Sequence, residues 1–179
     1  YTPSAYSWPA TISDDHQKEL KAEIQRLLEL LDMKTSIYNI ETRECTDGKA
    51  YIMELSPRGG GNRLAEMLHY ATGVDLVTNS VRAAVGMPVV DVEQHPYAGY
   101  WAEIILHSNF AGVFDSLWIS DEISGNVVER DLWIQSGEEV GDFSGANEAI
   151  GTLVLRFDSQ ERLEEVLGNQ NAFVQVKLR

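Results

Sequence analysis

TSIYNIETRECTDGKAYIMELSPRGGGN, residues 35–62, is the stretch on which the reading of this chain turns. Two β-rich runs, 35–45 and 50–55, flank Thr46-Asp47-Gly48-Lys49. Asp-Gly between two such runs is a strong short-range hairpin signal. Pro57 has no N–H to donate and stops the second strand. With Asp47-Gly48 as a two-residue turn, Thr46 faces Lys49, Arg43 faces Ile52, Glu41 faces Glu54 and Asn39 faces Ser56. Glu41 and Glu54 then project from one face of the sheet, with Cβ atoms roughly 4.5–5.5 Å apart.

Like charges directly opposite on a sheet destabilise it. Either one carboxylate takes up a proton or a cation sits between the two. Magnesium suits the second case, since it takes one or two carboxylates and completes its shell with water and phosphate oxygens. Asn39 and Ser56 add polar atoms one pair along. A solvated sheet face, with both carboxylates in water, is the alternative that spacing leaves open. Beyond Glu54, Ser56-Pro57-Arg58-Gly59-Gly60-Gly61-Asn62 opens a helix. Glycines let a backbone approach a ligand closely, a helix N-terminus offers free N–H groups to an anion, and Arg58 adds a planar donor fork. The alternative here is a flexible loop with a surface arginine.

Outward from the hairpin, Leu20, Ile24, Leu27, Leu28 and Leu31 recur at helical spacing behind a Ser13-Asp14-Asp15 cap, which predicts a surface helix packed on a sheet. Leu64, Met67, Leu68 and Ala71 mark a second helix closed by Gly73, and a third covers about 75–85 before Gly86 and Pro88. After Pro88 the texture becomes β-rich. Strands are expected at 99–108, 112–120 and 127–135, with a turn at 121–126 and a loop at 137–147. A strand–helix–strand ending follows over 150–157, 159–167 and 173–178. The chain therefore reads as two parts, 1–88 and 89–179. Glu103 and His107, four apart on a strand, share a face that reads as wet. Glu129, Arg130 and Asp131 read as solvated. Trp8, Trp101, Trp118 and Trp133 read as core or lobe-interface residues. His69 reads as a helix-surface residue, and His16 and His95 as surface.

Of the 179 residues, 14 are Lys or Arg and 28 are Asp or Glu, a formal net charge of −14. A chain this acidic repels nucleic-acid phosphates and anionic membranes. No apolar run is long enough to span a bilayer. The lone Cys45 makes no internal disulfide and fits a reducing compartment, and no signal-peptide pattern opens the chain, so a cytoplasmic location is expected. Five lysines are present and none lies in a G-x-x-x-x-G-K loop. Most of the charge that faces a nucleotide's phosphates must then come from elsewhere. The opening residues carry no Met and begin in mid-pattern, which suggests a fragment, although a processed terminus reads the same way.

The segment 38–41, the short Asp-Gly turn and the segment 51–58 together resemble the metal hairpin of the ATP-grasp superfamily, whose members include biotin carboxylase, carbamoyl-phosphate synthetase and the L-amino-acid ligases. The resemblance runs through about 12–86 and is architectural beyond Val89. It implies an α+β fold: the ATP-grasp C-terminal half, an antiparallel sheet flanked by helices, plus a small β-rich C-terminal lobe. It implies an ATP-dependent carboxylate–amine ligase working through an acyl phosphate, with ATP and Mg2+ (or Mn2+) as cofactors and small-molecule carboxylate and amine substrates. Glu41 and Glu54 would be metal ligands. Ser56 stands where the family commonly has Asn and would be a weaker ligand or a water holder. Arg58 would be the catalytic contact to the acyl phosphate or carboxylate, and Gly59, Gly60, Gly61 and Asn62 would line the acceptor pocket. The expected partner is the missing N-terminal half of the same enzyme, and a homodimer is left open. A carboxylase-type or carbamoyl-phosphate-type enzyme of the same fold, or a non-catalytic binding module, are the rival readings.

Overall fold

The structure is a computed structural model that describes residues 2–93 and 95–179. In chain order the elements are β1 (Ala5–Trp8), α1 (Asp14–Leu30), β2 (Asn39–Glu44), β3 (Ala50–Ser56), α2 (Leu64–Thr72), α3 (Leu76–Ala84), β4 (Tyr100–Leu106), β5 (Gly112–Ile119), α4 (Asp121–Ser124), β6 (Val127–Leu132), β7 (Glu139–Val140), β8 (Gly151–Phe157), α5 (Gln160–Gly168), α6 (Gln170–Phe173) and β9 (Val174–Leu178). The fold is α+β, with antiparallel sheets flanked by helices. Several elements differ from expectation, among them β7, inside the loop expected at 137–147, and the short helix α6 before the last strand. β1 is a four-residue strand whose pairing lies nearly a hundred residues away, on β4, so no local pattern announces it. The turn expected at 121–126 contains a short helix, α4, capped by Ser120, whose hydroxyl accepts the Glu122 N–H.

The chain packs as two compact units. One comprises residues 1–9, 62–75 and 91–179, the other 10–61 and 76–90. The chain makes its last crossing between them at Val90/Asp91.

The larger unit is built on a four-stranded antiparallel sheet in the order β1-β4-β8-β6, with a second sheet in the order β7-β5-β9. β4 and β8 are buried almost throughout. Ala102, Ile104 and Leu106 of β4 join Leu153, Leu155 and Phe157 of β8 in the main core, closed by Phe114, Ile123, Leu163, Val166 and Phe173. The other face of the same sheet carries Trp101 and Val154 against Met67 and Ala71 of α2. Tyr70 of α2 stacks on Trp101 with ring centroids 5.5 Å apart. α2 ends as its sequence demands: Gly73 is left-handed at φ +79° and its N–H donates to His69 O, an end that glycine adopts without a Cβ penalty.

The smaller unit consists of α1, the β2–β3 hairpin and α3. α1 starts at Ser13, whose hydroxyl accepts the His16 N–H at 3.2 Å, with Asp14 and Asp15 in the first turn complementing the helix dipole. Only Leu20 and Asn79 of this unit are buried. Asn79 ties the segment after α3 back onto the helix through two bonds of 2.9 Å with Val90, and Arg82 Nε donates to Pro88 O.

Of the four tryptophans, Trp101 is buried as expected, whereas Trp118 and Trp133 are exposed. Gly151 marks a close backbone approach in the larger unit. A Cβ there would lie 2.2 Å from Asp131 O and 3.1 Å from Leu132 Cα, where β6 pairs with β8. Backbone cannot yield as a side chain can, so Gly151→Ala should destabilise the protein by about 3 kcal/mol, read from chemical denaturation midpoints.

Candidate functional site

The hairpin closes one residue wider than a two-residue turn. Cys45 N–H donates to Lys49 O at 2.8 Å, Gly48 N–H donates to Cys45 O at 3.0 Å, and Gly48 has φ +78°. A three-residue loop ending in a left-handed glycine matches the twist of the flanking strands. Each facing pair shifts accordingly: Glu44 faces Ala50, Arg43 faces Tyr51 and Thr42 faces Ile52. The expected pairs Thr46–Lys49 and Arg43–Ile52 are therefore corrected. Beyond Thr42 the register shifts back, with Met53 as the extra residue of a bulge. The two offsets cancel. Glu41 faces Glu54 and Asn39 faces Ser56, as the simpler turn also required.

Asn39, Glu41 and Arg43 thus share one face with Ser56, Glu54 and Tyr51, by strand alternation. Ser56 Oγ donates to Glu54 Oε1 at 2.7 Å, and Arg43 Nη2 lies 3.6 Å from Glu41 Oε1. Both glutamates are exposed. Among the described residues no group of three or more His, Cys, Asp or Glu is placed to hold an ion, so this is not an all-protein metal cage. Two facing exposed carboxylates with a neighbouring hydroxyl instead fit the magnesium mode, in which water and phosphate oxygens complete the shell.

The opposite face of the hairpin carries Ile40, Thr42, Ile52 and Leu55, each half-buried, and Glu44 at its edge. His16, in the first turn of α1, bridges to the hairpin tip. Its Nδ1 meets Glu44 Oε1 and its Nε2 lies 3.0 Å from Gly48 O. Both partners are acceptors. A neutral imidazole has one N–H and serves only one of them, whereas the imidazolium serves both. The Glu44 hydrogen bond, then the Gly48 carbonyl, raise the His16 pKa above its ordinary value. The tip itself is tied by Asp47, which accepts from Tyr51 OH at 2.7 Å and from Lys49 N–H at 3.1 Å. Those two bonds hold its carboxyl below the ordinary range.

Arg58 is exposed, with Nη1 donating to Gly59 O at 2.9 Å. A Cβ at Gly59 or Gly61 would meet no atom within 4 Å, and neither glycine has a positive φ. The fold itself does not require glycine at these two positions. Asn62 is left-handed at φ +54°. Glu41, Glu54, Ser56, Arg58 and the three glycines lie in the smaller unit, and Asn62 in the larger.

A second polar assembly, in the larger unit, was not foreseen. Glu103 is fully buried, which corrects the expected wet face on β4. Its Oε1 accepts the Arg63 N–H at 2.9 Å, and its Oε2 has no hydrogen-bond partner. Burial pushes its pKa up to about 7 against the opposing pull of that N–H and the Arg63 charge. The Arg63 guanidinium reaches Glu129 Oε1 at 2.6 Å, Asp131 Oδ2 at 3.4 Å and Glu66 Oε1 at 3.2 Å. Glu129 and Asp131 are thus ion-paired rather than merely solvated. One N–H at the start of α2 is already occupied by a protein carboxylate, so the helix terminus is not wholly free for a ligand anion. The signal available in the sequence was a glutamate inside the apolar run of β4, where an ionisable group needs a partner. His69 is exposed, as expected.

No protein-family model matches the chain, and no curated protein matches it. Solved structures do. Phosphoribosylglycinamide synthetase from Anaerococcus prevotii superposes with a TM-score of 0.78 at 18% identity, covering 99% of this chain and 46% of that one. L-amino acid ligase from Bacillus licheniformis gives 0.83 at 15% identity, covering 100% and 45%. The biotin carboxylase domain of Hydrogenobacter thermophilus 2-oxoglutarate carboxylase, crystallised with MgADP, ADP and bicarbonate, gives 0.68 at 14% identity, covering 97% and 39%. The chain has the fold of the C-terminal half of an ATP-grasp ligase. It spans less than half the length of each of these structures.

The His16 bridge predicts a pH dependence. Its folded pKa is raised, so its contribution to stability is present below the unfolded value and is lost as pH rises through the folded one. His16→Gln should flatten the fall in melting temperature across that window, and an NMR titration of the His16 ring should show a midpoint above the ordinary histidine value.

Proposed function

We propose that this chain is the C-terminal part of an ATP-dependent ligase that joins a carboxylate to an amine through an acyl phosphate. The observation that carries the reading is the pairing of Glu41 with Glu54 on an exposed sheet face, with Ser56 bonded to Glu54, in a chain of this fold. Glu41 and Glu54 would hold magnesium, and Ser56 would orient Glu54 or hold a water. The ion, when bound, supplies positive charge against a transferring phosphoryl group.

In such a ligation a carboxylate oxygen attacks the γ-phosphorus of ATP and ADP leaves. The amine then attacks the acyl carbon, phosphate leaves and the amine loses a proton. Arg58, exposed beside the hairpin, would hold the acyl phosphate by its donor fork, lowering the cost of charge that develops on oxygen. Gly59, Gly60, Gly61 and Asn62 would line the acceptor pocket. The open space around Gly59 and Gly61 supports this role, because packing gives no other reason for glycine there. No residue of this chain is needed as a covalent nucleophile.

The smaller unit supports the inference of a partner segment, the N-terminal half of the same enzyme. It has a two-stranded sheet and, among the described residues, no buried apolar cluster of its own, and Val77 and Val81 of α3, Val85 just after it, Leu30 of α1 and Met53 of β3 are exposed. An isolated two-stranded sheet is marginal in water. Exposed apolar side chains at helical spacing on α3 form a face that another segment would cover. No helix among the described residues is long and apolar enough to cross a membrane, and a cytoplasmic enzyme remains our reading.

The test is ADP release by the full-length protein with ATP and magnesium, across L-amino acids and other carboxylates paired with amines. Release that needs both a carboxylate and an amine is the expected outcome. Release with bicarbonate in place of an amine-paired carboxylate would instead favour the carboxylase-type reading, and ATP binding without turnover the non-catalytic one. Glu54→Gln should abolish magnesium-dependent turnover. Arg58→Ala should lower kcat by about 100-fold. Gly59→Ala should leave stability within about 0.5 kcal/mol of wild type while raising KM, a split that a merely structural glycine would not produce.

A further inference from the structure

Glu103 sits where an ionisable residue is least expected, in the middle of a strand buried on both faces. Across the sheet its row reads Tyr6, Glu103, Val154 and Glu129, from β1 to β6. Its carboxylate accepts the N–H of Arg63 at 2.9 Å. That N–H belongs to the peptide plane shared with Asn62, so fixing its direction also fixes the direction of the Asn62 carbonyl. Asn62 holds a left-handed conformation at φ +54°, which asparagine tolerates better than most residues but which still needs support.

The Arg63 side chain is clamped as firmly as its main chain. Glu129 Oε1 lies 2.6 Å from Nη2, and Glu129 Oε2 accepts from Tyr70 OH at 3.0 Å. Asp131 Oδ2 lies 3.4 Å from Nη1 and accepts from Trp133 Nε1 at 2.9 Å. Glu66 Oε1 approaches Nε at 3.2 Å as an ion pair. One residue of the chain is thus held by four carboxylates, three on its side chain and one on its backbone.

We propose that Glu103 is a positioning residue for the acceptor pocket: through the Arg63 N–H it orients the Asn62 peptide, with Glu66, Glu129 and Asp131 holding the Arg63 side chain. The effect on substrate rests on the ligase reading; the effect on the Arg63 amide does not. The charged groups that bear on Glu103 are Arg63 and Glu66; Tyr6 of β1 pairs with it across the sheet, and Glu129 and Asp131 of β6 act on it through Arg63. An ionised carboxylate is a stronger acceptor than a protonated one. Because burial pushes the Glu103 pKa up to about 7, the hold on Arg63 tightens as pH rises through neutrality and relaxes below it.

Two measurements on the full-length protein test this. With 15N-arginine labelling, the Arg63 amide signal should titrate with a midpoint near Glu103's own, about 7, and this titration should vanish in Glu103→Gln. A flat Arg63 signal in wild type, or a titration that survives the substitution, overturns the proposal. In the ADP-release assay, with the amino-acid pair that turns over fastest, wild-type KM should rise about tenfold as pH falls through neutrality, with kcat changing less. Glu103→Gln keeps a neutral acceptor oxygen, so its KM should stay at the acid-limb value at every pH. Turnover with a pH-independent wild-type KM overturns the positioning role alone. Absence of any turnover, alongside the amide titration, overturns the ligase reading and with it the role in substrate binding. The wild-type titration keeps the proposal testable even if Glu103→Gln folds poorly.

Discussion

The pairing of β4 with β8 is the constraint on which the larger unit depends. Seven residue pairs run without a break from Tyr100↔Phe157 to Leu106↔Gly151. Because side chains alternate across a strand, this one ladder supplies both hydrophobic layers: Ala102, Ile104 and Leu106 on one side, Trp101 on the other. β1 and β6 then add to the outer edges of β4 and β8 and extend the same two faces. Gly151 at the end of the ladder lets β6 approach closer than any side chain allows.

A strand covered on both faces has no solvated side on which to place a charge. Glu103 is nevertheless in its middle, and the structure offsets the desolvation with an N–H and a guanidinium from Arg63. Removing water from a carboxylate costs several kcal/mol unless such partners exist. The row of acids on this face and the start of α2 therefore form one electrostatic assembly. In a chain of net charge −14, Arg63 is committed to that assembly, while Arg58 stays exposed.

The smaller unit is organised by local rules instead. Its hairpin is set by a left-handed glycine at the turn, a bulge at Met53 and the His16 bridge to α1. These leave Glu41 and Glu54 facing each other on the side away from Ile40 and Leu55, with Ser56 bonded to Glu54 and Arg43 near Glu41. The two facing carboxylates are thus held on a short, exposed ladder. Within the same unit Leu20 is the one fully buried apolar side chain, and Ile40, Ile52 and Leu55 are half-buried.

What the sequence determined by itself was much of what near neighbours govern. The Asp47-Gly48 turn, the cap at Ser13, the Gly73 terminus and the helical and strand periodicities are short-range effects, and each element they predict is present. The Glu41–Glu54 pair was legible too, although through a register that contained two compensating errors, since neither the third loop residue nor the bulge has an unambiguous local signature. The tertiary structure alone decided which strands pair across long separations, as with β1 on β4, and which polar residues are buried. Glu103 and Glu129 look alike in sequence, each an acid in a β-rich run. One lies at the centre of a double-faced sheet beneath α2 and the other on its outer strand. Burial and charge pairing depend on what packs above a residue, and that is a property of the folded chain rather than of its neighbours in sequence.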